Sequence, residues 1–266
     1  MEEQMPGQHG GDVYDRALLL SPEKRNHVME LWEVQRYGRD SYGDADYVRL
    51  YGMSPVEWHQ RGVQLLARTT VECVRDALAD LIGADVARVL QRAAAGQDVT
   101  VIDPFAGSCN SLYWILRHLP KAQGIAFEMD PTIFAITKAN IAFLDRPITL
   151  TQGDYRSLLP SHPVPEDHLM VIFVAPPWGE ALDPLTGLDL ARTHPPITEV
   201  IDDMDALYQS QPVLYVIQIF ERLEPASLAM VRQQLDWSET HIYGVNAAGM
   251  RHGILLGSRQ WIPSEL

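Results

Sequence analysis

The chain has 266 residues, 46% of them apolar and 21% charged, with a formal net charge of −14. That suits one catalytic domain with an extension and a sizeable core, while the acidic balance disfavours a long nucleic-acid substrate, whose binders carry Lys and Arg on one face to displace counterions. No apolar run reaches the roughly 18–20 residues that span a bilayer, the polar start lacks a secretion-signal pattern, and Cys73 and Cys109 alone make no disulfide framework, so a cytoplasmic location without membrane contact is expected.

Residues 1–15 are Gly-rich and polar and read as mobile. Ser21-Pro22-Glu23 predicts a helix start, with Val28, Leu31, Trp32 and Gln35 on one face. Tyr37 to Tyr47, rich in Gly, Asp and Tyr, reads as a loop. Ser54-Pro55-Val56-Glu57 predicts a second start, and Val63, Leu66, Val71, Val74 and Leu78 carry helical spacing on to Leu81. A further helix is expected over 83–95, stopped by Gly96. Residues 1–97 thus form a helical N-terminal extension, serving as a lid over a pocket or as the face of a homodimer.

From Val99 the pattern changes. Val99–Asp103, Gly124–Glu128, Ile148–Gln152, Leu169–Val174 and Pro212–Ile219 are short apolar runs of the kind that make buried parallel strands. Helices are expected over Ser111–Leu119, from Pro131 to about Leu144, and over Asp202–Ser210. Thr240–Val245 and Gly253–Gly257, with a Gly/Asn-containing turn between, look like a terminal antiparallel pair. Strands alternating with helices imply a Rossmann-like α/β domain over 98–266, with a mostly parallel seven-stranded sheet.

Four motifs sit at the strand ends. Asp103-Pro104-Phe105-Ala106-Gly107-Ser108-Cys109-Asn110 joins the first strand to a helix; a turn there aims backbone N–H groups at a ligand, and Gly107 permits close approach. It is neither a dinucleotide fingerprint nor a phosphate loop, and an acid directly before the turn suits a cationic ligand. Glu128 ends the next strand, where a carboxylate can accept from a ribose diol; Met129 follows, and Asp130 before Pro131 reads as a helix cap. Gly153-Asp154-Tyr155 follows the third strand. Val174-Ala175-Pro176-Pro177-Trp178-Gly179 follows the fourth; the prolines stiffen the chain at the ligand-binding edge, and Trp178 offers a flat face for stacking.

In this order the motifs resemble those of class I methyltransferases that use S-adenosylmethionine (SAM). Asp-Pro-x-x-Gly, Glu-Met-Asp-Pro, Gly-Asp and Ala-Pro-Pro-Trp-Gly, with Trp32-Glu-Val-Gln-Arg-Tyr37 upstream, are similar to the trimethylguanosine synthase group, which methylates a guanine nitrogen of RNA caps. The resemblance implies that Asp103 and Gly107 hold the methionine part of SAM, with Pro104, Phe105, Ala106 and Asn110 as further cofactor-binding residues. It further implies Glu128 at the ribose and Asp154 at the adenine amino group, Met129, Tyr155 and Ala175 as further cofactor-binding residues, Pro176 and Pro177 shaping the pocket beside the methyl group, and Trp178 stacked on the acceptor ring. Tyr37, His194 and Tyr208 are further candidate acceptor contacts, the last two near a stretch, 180–200, that reads as mobile. Two departures stand out. Ala175 replaces the usual Asn, Asp or Ser before Pro-Pro, and Cys109 stands where Gly is expected. With no basic surface evident, the expected reaction is N-methylation of a small planar acceptor, with no metal; an RNA or cap-like acceptor and a non-catalytic SAM-fold subunit are the alternatives.

Overall fold

The computed structural model describes residues 13–93, 96–183, 185–209, 211–244 and 251–263. The polar segment 1–12 and the Gly/Asn-containing turn expected after Val245 lie outside them.

The N-terminal region is helical but divided differently from its periodicity. After α1 (Arg16–Leu19), Ser21 opens only a series of turns, and the helix begins later as α2 (Leu31–Tyr42). The reason is a stronger start signal. Glu30 and Glu33 form a reciprocal capping box, and the buried Glu33 carboxylate accepts from Lys24 Nζ (2.5 Å) and Tyr14 Oη (3.1 Å) and contacts His27 Nε2 (2.7 Å). Burial alone would raise the Glu33 carboxyl; these hydrogen bonds outweigh it and hold the group at about 2. The helix runs through half of the expected loop and stops at Gly43, whose φ of 73° is a left-handed cap.

Ser54 does cap a helix, α3 (Pro55–Gln60), with Glu57 completing a capping box. The long helix expected to follow is broken at Gly62 and again near Cys73, giving α4 (Ala67–Glu72) and then α5 (Asp76–Ala93), which absorbs the helix expected over 83–95. Spacing concealed the breaks because Val63, Leu65, Leu66 and Val71 remain buried in either arrangement. Val63, Leu65 and Val71 join Tyr37, Trp58 and Tyr51 in an N-terminal core that also takes in Tyr113 of the sheet domain.

The remaining elements are, in order, β1 (Val99–Asp103), α6 (Asn110–His118), β2 (Gln123–Glu128), α7 (Pro131–Ile141), β3 (Ile148–Gln152), α8 (Tyr155–Leu158), β4 (Leu169–Val174), a small β5 (Leu182–Asp183) and β6 (Gly187–Leu188), α9 (Ile197–Leu207), β7 (Val213–Phe220), α10 (Pro225–Gln233), β8 (Trp237–Tyr243) and β9 (His252–Arg259). The main sheet has the order β3-β2-β1-β4-β7-β9-β8, parallel except at β9, which pairs antiparallel with β7 and β8. Alternate residues of β4 serve opposite faces: Leu169, Val171 and Phe173 pack in the core shared with α5 and α6, while Met170, Ile172 and Val174 pack with Ile197, Val200 and Met204 of α9. Burial on both faces explains why the strand reads as a continuous apolar run.

The stretch expected to be mobile is instead docked. β5 and β6 pair, Leu188 bridges to Leu223, and Leu188, Leu190 and Thr193 are buried. Their apolar anchors are single residues between polar ones, a pattern with no period to read.

Candidate active site

The strand order reverses between β1 and β4, so a crevice opens at their C-terminal ends, the usual ligand position in open α/β sheets. Asp103 ends β1 and is almost wholly buried; its Oδ1 accepts from Phe105 N (3.0 Å), shaping the turn. Gly107 sits at φ +49°, with no atom nearer than 3.9 Å to where a Cβ would stand, leaving open space against bare backbone. Its N–H donates to Glu128 Oε2 (3.0 Å), Glu128 Oε1 accepts from Asp130 N (2.8 Å), and Thr137 Oγ1 donates to Gly107 O (2.6 Å). The turns after β1 and β2 are thereby stitched together. Cys109 adopts φ 57°, the left-handed backbone that explains why glycine is expected there.

The electrostatics of this corner are lopsided. Burial pushes the Asp103 carboxyl up to about 7, with the Glu128 charge adding to the effect, and burial raises Glu128 as well. Arg68, the guanidinium nearest in influence to Glu128, is engaged by Asp130 at 2.6 Å. Among the described residues neither Asp103 nor Glu128 has an ion-pair partner.

Asn110 opens α6 and ties the site to the N-terminal region. Its Nδ2 donates to Val74 O (2.8 Å) and Asp76 Oδ1 (3.2 Å), its Oδ1 accepts from Tyr51 N (2.8 Å), and Tyr51 Oη donates to Ser108 O (2.5 Å). Both amide hydrogens being engaged by protein, Asn110 acts by positioning the turn. Asp76 also accepts from Gly52 N (3.0 Å) and Trp114 Nε1 (2.7 Å). Asp103, Phe105, Ala106, Gly107, Ser108, Asn110 and Ala175 line one cleft with Glu72, Cys73, Val74, Ser111, Phe173 and Gln218.

Beyond Ala175, Pro176 is buried and Pro177 exposed. Trp178 is half-buried, stacked on the His252 imidazole (centroids 5.5 Å apart, 12° between planes) and edge-on to Phe220 (6.4 Å). One face of the expected stacking platform is therefore already covered by a residue that sequence reading did not single out. Pro104 is buried in its turn, and Met129 is 67% exposed. Asp154 caps α8 through Oδ1 to Arg156 N (2.9 Å); Tyr155 is buried, its ring edge-on to Phe105 (5.6 Å) and its Oη donating to Asp203 (2.8 Å).

Three expected acceptor contacts are not gathered here. Tyr37 is fully buried in the N-terminal core, its hydroxyl 3.3 Å from that of Tyr42. Tyr208 is buried at the C-terminal end of α9, just before β7 begins, at the edge of the sheet opposite the crevice. His194 is exposed three residues ahead of α9 and is not among the residues that line this cleft. Conversely Tyr51, Asp76, Gln218 and His252 enter the site without a local motif, because their partners lie far along the chain, 34 residues for Asp76 and Asn110 and 59 for Tyr51 and Asn110.

Sheet order, reversed terminal strand and acidic turn define the class: this is the fold of class I SAM-dependent methyltransferases. The METTL16 MTase domain is similar over 91% of both chains, with 14% identity and a TM-score of 0.52. An rRNA methyltransferase, aviRa, from Streptomyces viridochromogenes is similar over 70% of this chain and 88% of that one (16% identity, TM-score 0.45). A candidate class I SAM-dependent methyltransferase from Listeria monocytogenes is similar over 70% of this chain, which spans less than two thirds (62%) of that protein, with 14% identity and a TM-score of 0.47. The chain belongs to the family described as "Conserved hypothetical protein 95", whose model matches residues 58–194. No curated protein matches. Among the described residues no helix is long and apolar enough to cross a membrane, and no group of three or more His, Cys, Asp and Glu side chains could hold a metal ion.

Proposed function

We propose that the chain is a SAM-dependent methyltransferase that N-methylates a small planar acceptor. The observation that carries this reading is the pair of raised carboxyls, buried Asp103 and half-buried Glu128, neither of which has an ion-pair partner among the described residues. Such a pair is costly unless a ligand brings positive charge, and SAM carries both an ammonium and a sulfonium. The open backbone at Gly107 fits the same ligand, since a Cβ there would stand in otherwise empty space.

In this reading Asp103 and Gly107 hold the methionine end, Glu128 the ribose and Asp154 the adenine. Glu128 keeps acceptor capacity for a diol, because each of its oxygens takes only one backbone N–H. When bound, SAM supplies an electrophilic methyl group, so the protein's task is alignment and exclusion of water. Pro176 and Pro177 stiffen the acceptor edge. Ala175 brings no side-chain acceptor, so an amine there would donate to a backbone carbonyl. The Pro-Pro-Trp likeness to the trimethylguanosine synthase group supports a planar ring held at Trp178, while the net charge of −14 favours a small acceptor over RNA.

The test is transfer of labelled methyl from SAM into total RNA and into a low-molecular-weight extract. Label in the small-molecule pool is the expected result. Label in RNA alone replaces the acceptor with a cap-like one. SAM binding with no transfer into either pool points to the non-catalytic subunit suggested by Ala175.

A further inference from the structure

Beside the cofactor cleft lies a second one, of about 180 Å³, lined by Asp44, Asp46, Tyr47, Arg49, Arg75, Ala77, Leu78 and His252. The two share a wall: Glu72, Cys73 and Val74 face the first, Arg75, Ala77 and Leu78 the second. They also share the sheet edge, where Gln218 of the first cleft and His252 of the second stand on neighbouring strands, paired with Ile254 and Phe220 respectively.

Arg75 is the unusual residue here. Its guanidinium lies on the Tyr47 ring (4.3 Å), which stacks on Tyr42 (3.6 Å), yet its buried Nη1 has no hydrogen-bond partner among the described residues. The buried Nδ1 of His252 likewise has none. Burial, with the Arg75 charge adding to it, lowers the imidazole to about 4, so it is neutral near pH 7. An unpartnered buried guanidinium N–H is a costly arrangement that a ligand oxygen would relieve. Arg presents a planar fork suited to carboxylate and phosphate. The mouth, by contrast, carries the exposed acids Asp44 and Asp46 beside Arg49, which would repel the flanking charges of a long polyanion.

We propose that this cleft is the anion subsite of the acceptor, with Arg75 Nη1 and His252 Nδ1 binding a single terminal oxyanion, carboxylate or phosphate, of a small planar molecule. This deepens the methyltransferase reading and rests on it. Because His252 stacks on Trp178, a ring tethered at Arg75 is led toward the Pro-Pro-Trp edge and the shared wall.

The test is calorimetric titration of the full chain, with and without SAM, using benzoate, its uncharged isostere benzamide, and inorganic phosphate. Benzoate binding at least about tenfold tighter than benzamide, with Arg75→Gln removing that difference, is the expected result for a carboxylate acceptor. Phosphate binding lost in the same variant assigns a phosphorylated acceptor instead, and equally supports the subsite. Equal binding of benzoate and benzamide with no phosphate binding overturns it, on the wild-type chain alone, whatever becomes of the variant. Failure of SAM to bind while benzoate does would remove the methyltransferase reading and leave an anion site.

Discussion

The two ends of the crevice edge are electrostatic opposites. At the β1–β2 end, buried Asp103 and half-buried Glu128 are acids with no ion-pair partner among the described residues. At the β7–β9 end, Arg75 is a guanidinium with a buried, unpartnered Nη1 beside a neutral imidazole. Both arrangements cost folding free energy, and among the described residues no salt bridge joins the two. A chain that keeps unbalanced charge of opposite sign at two neighbouring clefts is prepared for two ligands of opposite sign, a cation at one end and an anion at the other. Between them, the Asn110–Asp76–Tyr51 network holds the shared wall in place.

The largest effect should come from the acidic end. Asp103→Ala should weaken SAM binding by about a hundredfold or more and abolish SAM-dependent thermal stabilisation; stabilisation like that of the wild type would place the cofactor elsewhere and dissolve the comparison. Next comes the seam. Asn110→Ala strips partners from Tyr51 N and Asp76, and chemical denaturation should reveal a loss of about 2–3 kcal/mol. A change under about 0.5 kcal/mol, the size of an ordinary surface substitution, would mean that the two regions are not held by this network. At the other end, Trp178→Ala should lower kcat/KM for the acceptor by about tenfold or more while SAM affinity stays within about twofold; loss of SAM affinity would remove the division of labour between the clefts.

The smallest effect is in pH. With the Asp103 carboxyl at about 7, the free protein is protonated there in mild acid. A cationic ligand binds the ionised form, so SAM affinity should fall by about tenfold from pH 8 to pH 6, with a proton released on binding near pH 6. The folded pKa lies above the unfolded one, so the apo protein binds the extra proton between about 4 and 7, and this group's contribution to stability falls as pH rises through that window. Calorimetry in buffers of different ionisation enthalpy reads the proton release. Its persistence in Asp103→Ala would assign it to another group.

Much of the sheet domain was legible because its signals are local. The strands at Val99–Asp103 and Leu169–Val174 lie where their apolar runs do, since strands buried on both faces need no partner to be recognised, and the half-exposed edge strand Ile148–Gln152 lies where its alternation of apolar and polar residues does. The turn motifs at Asp103–Gly107 and Ala175–Trp178 fall at the strand ends for the same reason. The N-terminal region was legible in type but not in division: Ser54 capped as read, whereas Ser21 did not, because Glu33 collected partners from Tyr14 to Glu30 that no window of periodicity contains.

The amino-acid sequence by itself determined the doubly wound sheet, its reversed final strand and the acids at its ligand-binding edge, all consequences of short-range patterning. Only the tertiary structure decided which residues share the site. It drew Tyr37 and Tyr208 into cores, set His252 on Trp178, and brought Arg75, Asp76 and Tyr51 to the crevice. Such pairings depend on how helices and strands pack across dozens of residues, and a side chain's neighbours at that separation leave no mark on its local sequence.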